Sequence, residues 1–220
     1  MRDGEADGAR EVTRREVMIS GRARVSAELV VPEGAVAVVV VACAGEGDAR
    51  ARAMTTAARA LAPIATIAVD LVAAGESASD EGELAGHLLP LLAERAGGAL
   101  DLAGEDLSAR YLPLALVGVG AAGAAVLLAS TMRSEVRAVV SVDGRPDLAG
   151  EALEALRAPT LLVADERDDA GIARNRSARA RVRGRSDLAV VPAGPGARDP
   201  GREDARIVQR IWSWLEPTLL

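Results

Sequence analysis

One stretch of the chain has the spacing of a catalytic turn but lacks the residue that would do the work. Leu116-Val117-Gly118-Val119-Gly120-Ala121-Ala122-Gly123 runs from a β-like segment straight into an Ala-rich helical one. Its small residues permit a sharp turn and close helix packing. Turns of the pattern G-x-S-x-G present a nucleophilic serine, and the following backbone N–H helps hold the oxyanion. Here the nucleophile position is Gly120, which has no side chain. The chemistry also needs a base. The single histidine, His87, precedes the turn and lies in a stretch that reads as a surface helix. A nucleophile and base that act as one unit are therefore both missing from the expected order.

Other reactive groups have plainer readings. Cys43 ends a β-branched run and is the only cysteine, so no intrachain disulfide can form. It reads as a small buried hydrophobe rather than a displaced nucleophile, because Glu46 and Asp48 nearby would raise a thiol's pKa. Asp165, Glu166, Asp168 and Asp169 form an acidic cluster behind another strand. A relic catalytic acid or a hard-cation site is conceivable there, but a solvated loop with Asp168 or Asp169 capping the next helix is the simpler expectation. One His and one Cys cannot build an N/S metal site, so no metal is expected. Arg174, Arg176, Arg179, Arg181, Arg183 and Arg185 spread around a helix without interleaved aromatics, the pattern of a solvated face rather than a phosphate grip. Gly45-Glu46-Gly47 lacks the Lys and Ser/Thr of a phosphate loop. Trp212 and Trp214, two apart on a helix, should face different ways, one on the core and one outward at an interface.

The elements that must position these residues alternate. Strands are expected at 17–20, 23–31, 35–43, 65–71, 112–119, 136–142, 160–164 and 188–191. Helices are expected at 48–61, 80–100 (period through Leu84, Leu88, Leu91, Leu92 and Ala96), 121–132, near 150–157, 170–183 and 202–216. This order predicts an α/β three-layer sandwich, a mainly parallel central sheet with helices on both faces. Residues 1–12 read as a loose tail and 13–220 as a single domain. The core must be built from Ala, Val and Leu, since the 220 residues include no Phe, one Tyr and two Trp. All 26 basic residues are Arg, which with the Ala and Gly content suggests a GC-rich bacterial gene. The net charge of −6 disfavours broad nucleic-acid binding. The polar N-terminus carries no apolar leader-like run and no segment reaches membrane-span length, so the expectation is a cytoplasmic protein without membrane contact.

Nearly the whole chain, from about Val17 to Trp214, resembles the small dienelactone-hydrolase-like α/β-hydrolases, including those fused to phosphoribosyltransferase domains. The most specific segment is Gly144-Arg145-Pro146-Asp147-Leu148-Ala149-Gly150, followed by Ala158-Pro159-Thr160-Leu161-Leu162-Val163 and Asn175-Arg176. The resemblance implies a degraded site. The family's His-Gly-x-Gly loop is matched by Ala44-Gly45-Glu46-Gly47, its serine by Gly120, its acid by Asp168 (with Asp165 or Asp169 as rivals), and its histidine by a position at or beside Gly196 in Pro192-Ala193-Gly194-Pro195-Gly196. Two functional expectations follow. One is a pseudoenzyme that binds a small molecule in the old cleft, or a protein partner, without a cofactor. The other is a hydrolase of ester or lactone-like bonds, built around Asp168 and oxyanion-type backbone donors at Gly45 and Ala121.

Overall fold

The computed structural model describes residues 11–19, 23–45, 49–60, 63–73, 76, 88–106, 108–192 and 200–220. His87, Leu84, Gly194, Gly196 and the expected 1–10 part of the tail lie outside the described residues.

Runs of β-branched residues supply eight strands: β1 (Glu11–Ile19), β2 (Ala23–Val31), β3 (Ala37–Cys43), β4 (Ile64–Asp70), β5 (Leu114–Val119), β6 (Val136–Val142), β7 (Thr160–Asp165) and β8 (Ser186–Val191). Between and after them lie helices α1 (Ala49–Ala60), α2 (Leu89–Glu105), α3 (Ala122–Met132), α4 (Ala152–Ala155), α5 (Asp169–Arg181) and α6 (Pro200–Leu219). All strands join one sheet in the order β1-β2-β4-β3-β5-β6-β7-β8. Strands β3 to β8 run parallel, and β2 joins β4 antiparallel, with β1 antiparallel beyond it. The expected α/β architecture is present. The first strand is longer than expected: Glu11 and Val12, read as tail, pair with Val31 and Val30. An edge strand covered by a neighbour on one side only tolerates the charged EVTRRE sequence, which hides it from a hydrophobic-pattern reading.

The central strands are apolar on both faces, and their side chains alternate between two cores. Val38, Val40 and Ala42 join a core under α2–α5, while Ala37, Val39 and Val41 join another under α1 and α6. Small residues let the helices sit close: most of α3, including Gly123, Ala124 and Ala125, is buried. Both tryptophans serve the second core. Trp214 is buried there, and its indole Nε1–H donates to Asp187 at 2.7 Å with the Arg185 guanidinium 5.6 Å from the ring centroid. One of the pair is expected to turn outward, but Trp212 is half-buried against the same core, since α1 flanks α6 and offers Met54 and Ala58 to it.

One charge sits where a leucine would be ordinary. Arg95 on α2 is 1% exposed. Its guanidinium donates to the carbonyl of Leu71 at 2.7 Å and grips the Glu76 carboxylate with two N–H groups. That hydrogen-bonded guanidinium holds the Glu76 carboxyl below its ordinary range. The pair ties the segment after β4 to α2. Among the described residues no helix is long and apolar enough to cross a membrane.

Candidate functional site

In a parallel sheet of this kind ligands meet the C-terminal ends of the strands, where loops converge. Strand β5 ends there in Gly120, whose φ is +57°. Its N–H donates to Val142 at the end of β6 (2.9 Å), and its carbonyl accepts from Gly123 (3.0 Å), which turns the chain directly into α3. This is the strand-to-helix elbow the sequence predicts. The flanking glycines are packed shut. A Cβ on Gly118 would stand 2.5 Å from the Ala122 carbonyl oxygen, and one on Gly123 would stand 2.3 Å from Ser141 Oγ. Gly120 is the reverse: among the described residues nothing lies within 4 Å of where its Cβ would be. A hydroxyl does lie under the elbow, on Ser141, but it is fully buried among Gly123 and Gly144.

The acid matched by resemblance has a different occupation. Asp168 follows β7, two strands from β5, or about 10 Å at ordinary strand spacing. Its side chain is the N-cap of α5: Oδ1 accepts the Gly171 N–H at 2.8 Å, and Oδ2 lies 3.3 Å from Arg174. The plain expectation of a capping role therefore accounts for its contacts. The N–H of Gly45, weighed as an oxyanion donor, donates here to Asp70 Oδ1 at 3.0 Å, an oxygen shared with the Val72 N–H. Ala121 stands at the N-cap of α3, where the first N–H groups of a helix lack intrahelical acceptors. Cys43 is half-buried, with its thiol directed at the Val69 carbonyl of β4, the neighbour on the side away from β5.

Sequence reading missed two residues at this edge. Asp143, just after β6, has φ +46°, the one positive φ of a non-glycine among the described residues. Its carboxylate accepts the Asp165 N–H (3.1 Å) and pairs with Arg50, which also donates to Asp204 Oδ1 at 3.1 Å. Arg50 thus clamps the end of β6 to the start of α6. Asp143-Gly144 at a strand end is a turn signal that could have flagged the aspartate. Nothing in the sequence marks Arg50, whose partner Asp204 lies 154 residues away. Alongside, Asp165 is held down to a pKa of about 2, chiefly by side-chain hydrogen bonds from Arg167. Asp147 in the Gly144–Gly150 segment is likewise lowered, chiefly by Arg145, which forks onto it at 2.8 and 3.0 Å.

The carboxylates described at this edge are each met by a guanidinium or a backbone N–H. Such contacts fix loops and caps. Among the described residues there is no group of three or more His, Cys, Asp or Glu that could hold a metal ion. The Arg-rich stretch behaves as a local ion-pair surface, with Arg181 and Arg183 both at Glu154 and Arg179 on the Ser186 carbonyl.

No family model matches the chain. Two Mycobacterium tuberculosis proteins that carry the provisional name phosphoribosyl transferase are 46% identical over 82 residues, 37% of this chain but only 18% of theirs. Among solved structures, Est1E from Butyrivibrio proteoclasticus superposes with a TM-score of 0.73 at 12% identity, over 93% of this chain and 98% of that one. A dienelactone hydrolase-like promiscuous phosphotriesterase from metagenomic libraries reaches 0.71 at 19%, over 95% and 99%. These two share the fold. The dienelactone hydrolase from Anabaena variabilis reaches a TM-score of 0.81 at 30% identity, covering 96% of this chain and 99% of its own. With that identity sustained over almost the full length of both chains, and with the elbow, sheet order and Arg145–Gly150 segment in place, this protein belongs to the dienelactone hydrolase-like α/β hydrolases.

Proposed function

We propose that this chain is a non-catalytic member of its family, a cytoplasmic binding module for a small molecule in the old cleft or for a protein partner. The observation that carries the reading is Gly120: the elbow backbone is formed and no described residue crowds the position, yet no nucleophile stands on it. Nucleophile and base act as a unit in hydrolases of this kind, so an elbow without a hydroxyl or thiol forfeits several orders of magnitude in rate. The contacts of Asp168 support the same reading, since its carboxylate is spent on the α5 N-terminus rather than on an imidazole. The rival, an ester or lactone hydrolase built around Asp168 with donors at Gly45 and Ala121, would need two groups that are already engaged.

The test is direct. The purified protein should show no p-nitrophenolate burst with p-nitrophenyl acetate, no turnover above that of a heat-inactivated sample, and no labelling by a fluorophosphonate. A burst that disappears in Asp168→Ala would overturn the proposal. Gly120→Ser alone should stay inactive, because no base is restored with it.

A further inference from the structure

The opposite end of the sheet holds a second concavity, and its chemistry is unlike that of the elbow edge. A groove of about 680 Å³ lies between the C-terminal turns of α2, the 108–113 turn and the start of β6. Its volume falls in the range of small-molecule sites. Its apolar part is Leu100, Leu112, Pro113 and Leu114. Its polar part is charged, and the charges are unequal in their freedom. Arg133 is consumed by Asp101 and Glu135. Arg137 is exposed and, among the described residues, makes no ion pair or hydrogen bond through its side chain. Among the described residues Arg110 meets only the Tyr111 ring, with its guanidinium 4.5 Å from the centroid. Among them, too, Glu105 is the one carboxylate of the lining without a partner. Tyr111 is 82% exposed, in a chain with two other aromatic residues, both committed to the core.

We propose that this groove binds an amphiphilic organic anion, a carboxylate or sulfonate carrying an aromatic or apolar body. The body lies on Tyr111 and the leucine–proline wall, and the anion meets Arg110 and Arg137. Guanidinium groups present planar forks of donors suited to such oxyanions, and a guanidinium already stacked on a ring keeps those in-plane donors free. The apolar wall selects for a ligand with a body, so inorganic oxyanions should bind more weakly. Glu105 opposes a second negative charge and favours a singly charged head. The inference is independent of the loss of catalysis: the two sites lie at opposite ends of the strands, and either reading can fail alone.

Naphthalene-2-sulfonate is a suitable probe, titrated by calorimetry and by the ring resonances of Tyr111, which the chain's lone tyrosine makes unambiguous. Saturable one-to-one binding is expected, with the Tyr111 signals shifting in step. Naphthalene-2-methanol and inorganic sulfate should each bind at least tenfold more weakly. Arg137→Gln and Arg110→Gln should each weaken the sulfonate by about fivefold or more, and the double variant should abolish it. Both side chains are solvent-facing, so the variants should melt like the parent, and Arg206→Gln on α6 serves as a remote control. Three results would each overturn the proposal: no saturation at millimolar probe, equal or tighter binding of naphthylmethylammonium, or unchanged affinity in the double variant.

Discussion

The elbow and the acid loop differ in what they present. At Gly120 there is a shaped backbone and no side chain: the φ is positive, the flanking glycines are packed, and among the described residues nothing crowds the position. At Asp168 there is a carboxylate, and it turns onto Gly171 of its own helix. The difference follows from what each residue does for the fold. The elbow is held by its backbone bonds to Val142 and Gly123 and by close glycine packing, none of which needs a side chain at Gly120. The Asp168 carboxylate, by contrast, contributes stability directly as a cap.

Substitutions can break this contrast, beginning with the largest effect. Gly118→Ala forces a Cβ onto backbone 2.5 Å away and onto Val126 Cγ2 at 2.6 Å, neither a flexible tip. It should destabilise the protein by about 3 kcal/mol, at the upper end for overpacking, read as a lower denaturant midpoint. Gly120→Ser meets no neighbour among the described residues and carries left-handed backbone strain, about 1–2 kcal/mol. If the two losses are equal, the elbow position is packed rather than open, and the contrast with its neighbours is lost. Asp168→Ala should remove about 1 kcal/mol, as for other N-caps, whereas Asp168→Asn should retain most of the stability because an amide oxygen caps nearly as well. Equal losses in the two would mean that the charge, not the cap, holds this residue in place. The smallest effect concerns pH. Asp165 has a folded pKa of about 2, below its ordinary 3.8, so its contribution is complete above 3.8 and is lost as pH falls toward 2. Arg167→Ala should flatten the acid limb of stability in that window by a few tenths of a kcal/mol, since the pair is partly exposed.

Much of this was legible in the sequence, and the exceptions have physical reasons. The VVVV run of β3 and the glycine spacing from Gly118 to Gly123 specify a doubly covered strand and an elbow, because both are local patterns. Arg95 was not legible. On a helix an arginine reads as solvent-facing, and only the arrival of Glu76 and the Leu71 carbonyl from after β4 makes its burial tolerable. The Arg50–Asp143–Asp204 clamp is invisible for the same reason: it joins three elements distant in sequence, and none of its residues sits in a pattern that announces the others. Gly45 shows the same limit on a smaller scale. It has φ +136°, and the acceptor its N–H takes here is Asp70 of the neighbouring strand, which the local sequence does not announce.

The indole of Trp214 gives the molecule an internal lamp. It is buried where α6 meets β8, with a carboxylate on its N–H and a guanidinium above its face. The chain has no phenylalanine, and its one tyrosine projects into water at Tyr111. Emission excited near the red edge of absorption therefore comes from α6 alone, from Trp214 and its half-buried neighbour Trp212. Lifting α6 off the sheet brings water to both rings and moves their light to longer wavelength, while the strands of the other core stay dark. The last helix thus reports its own departure by colour.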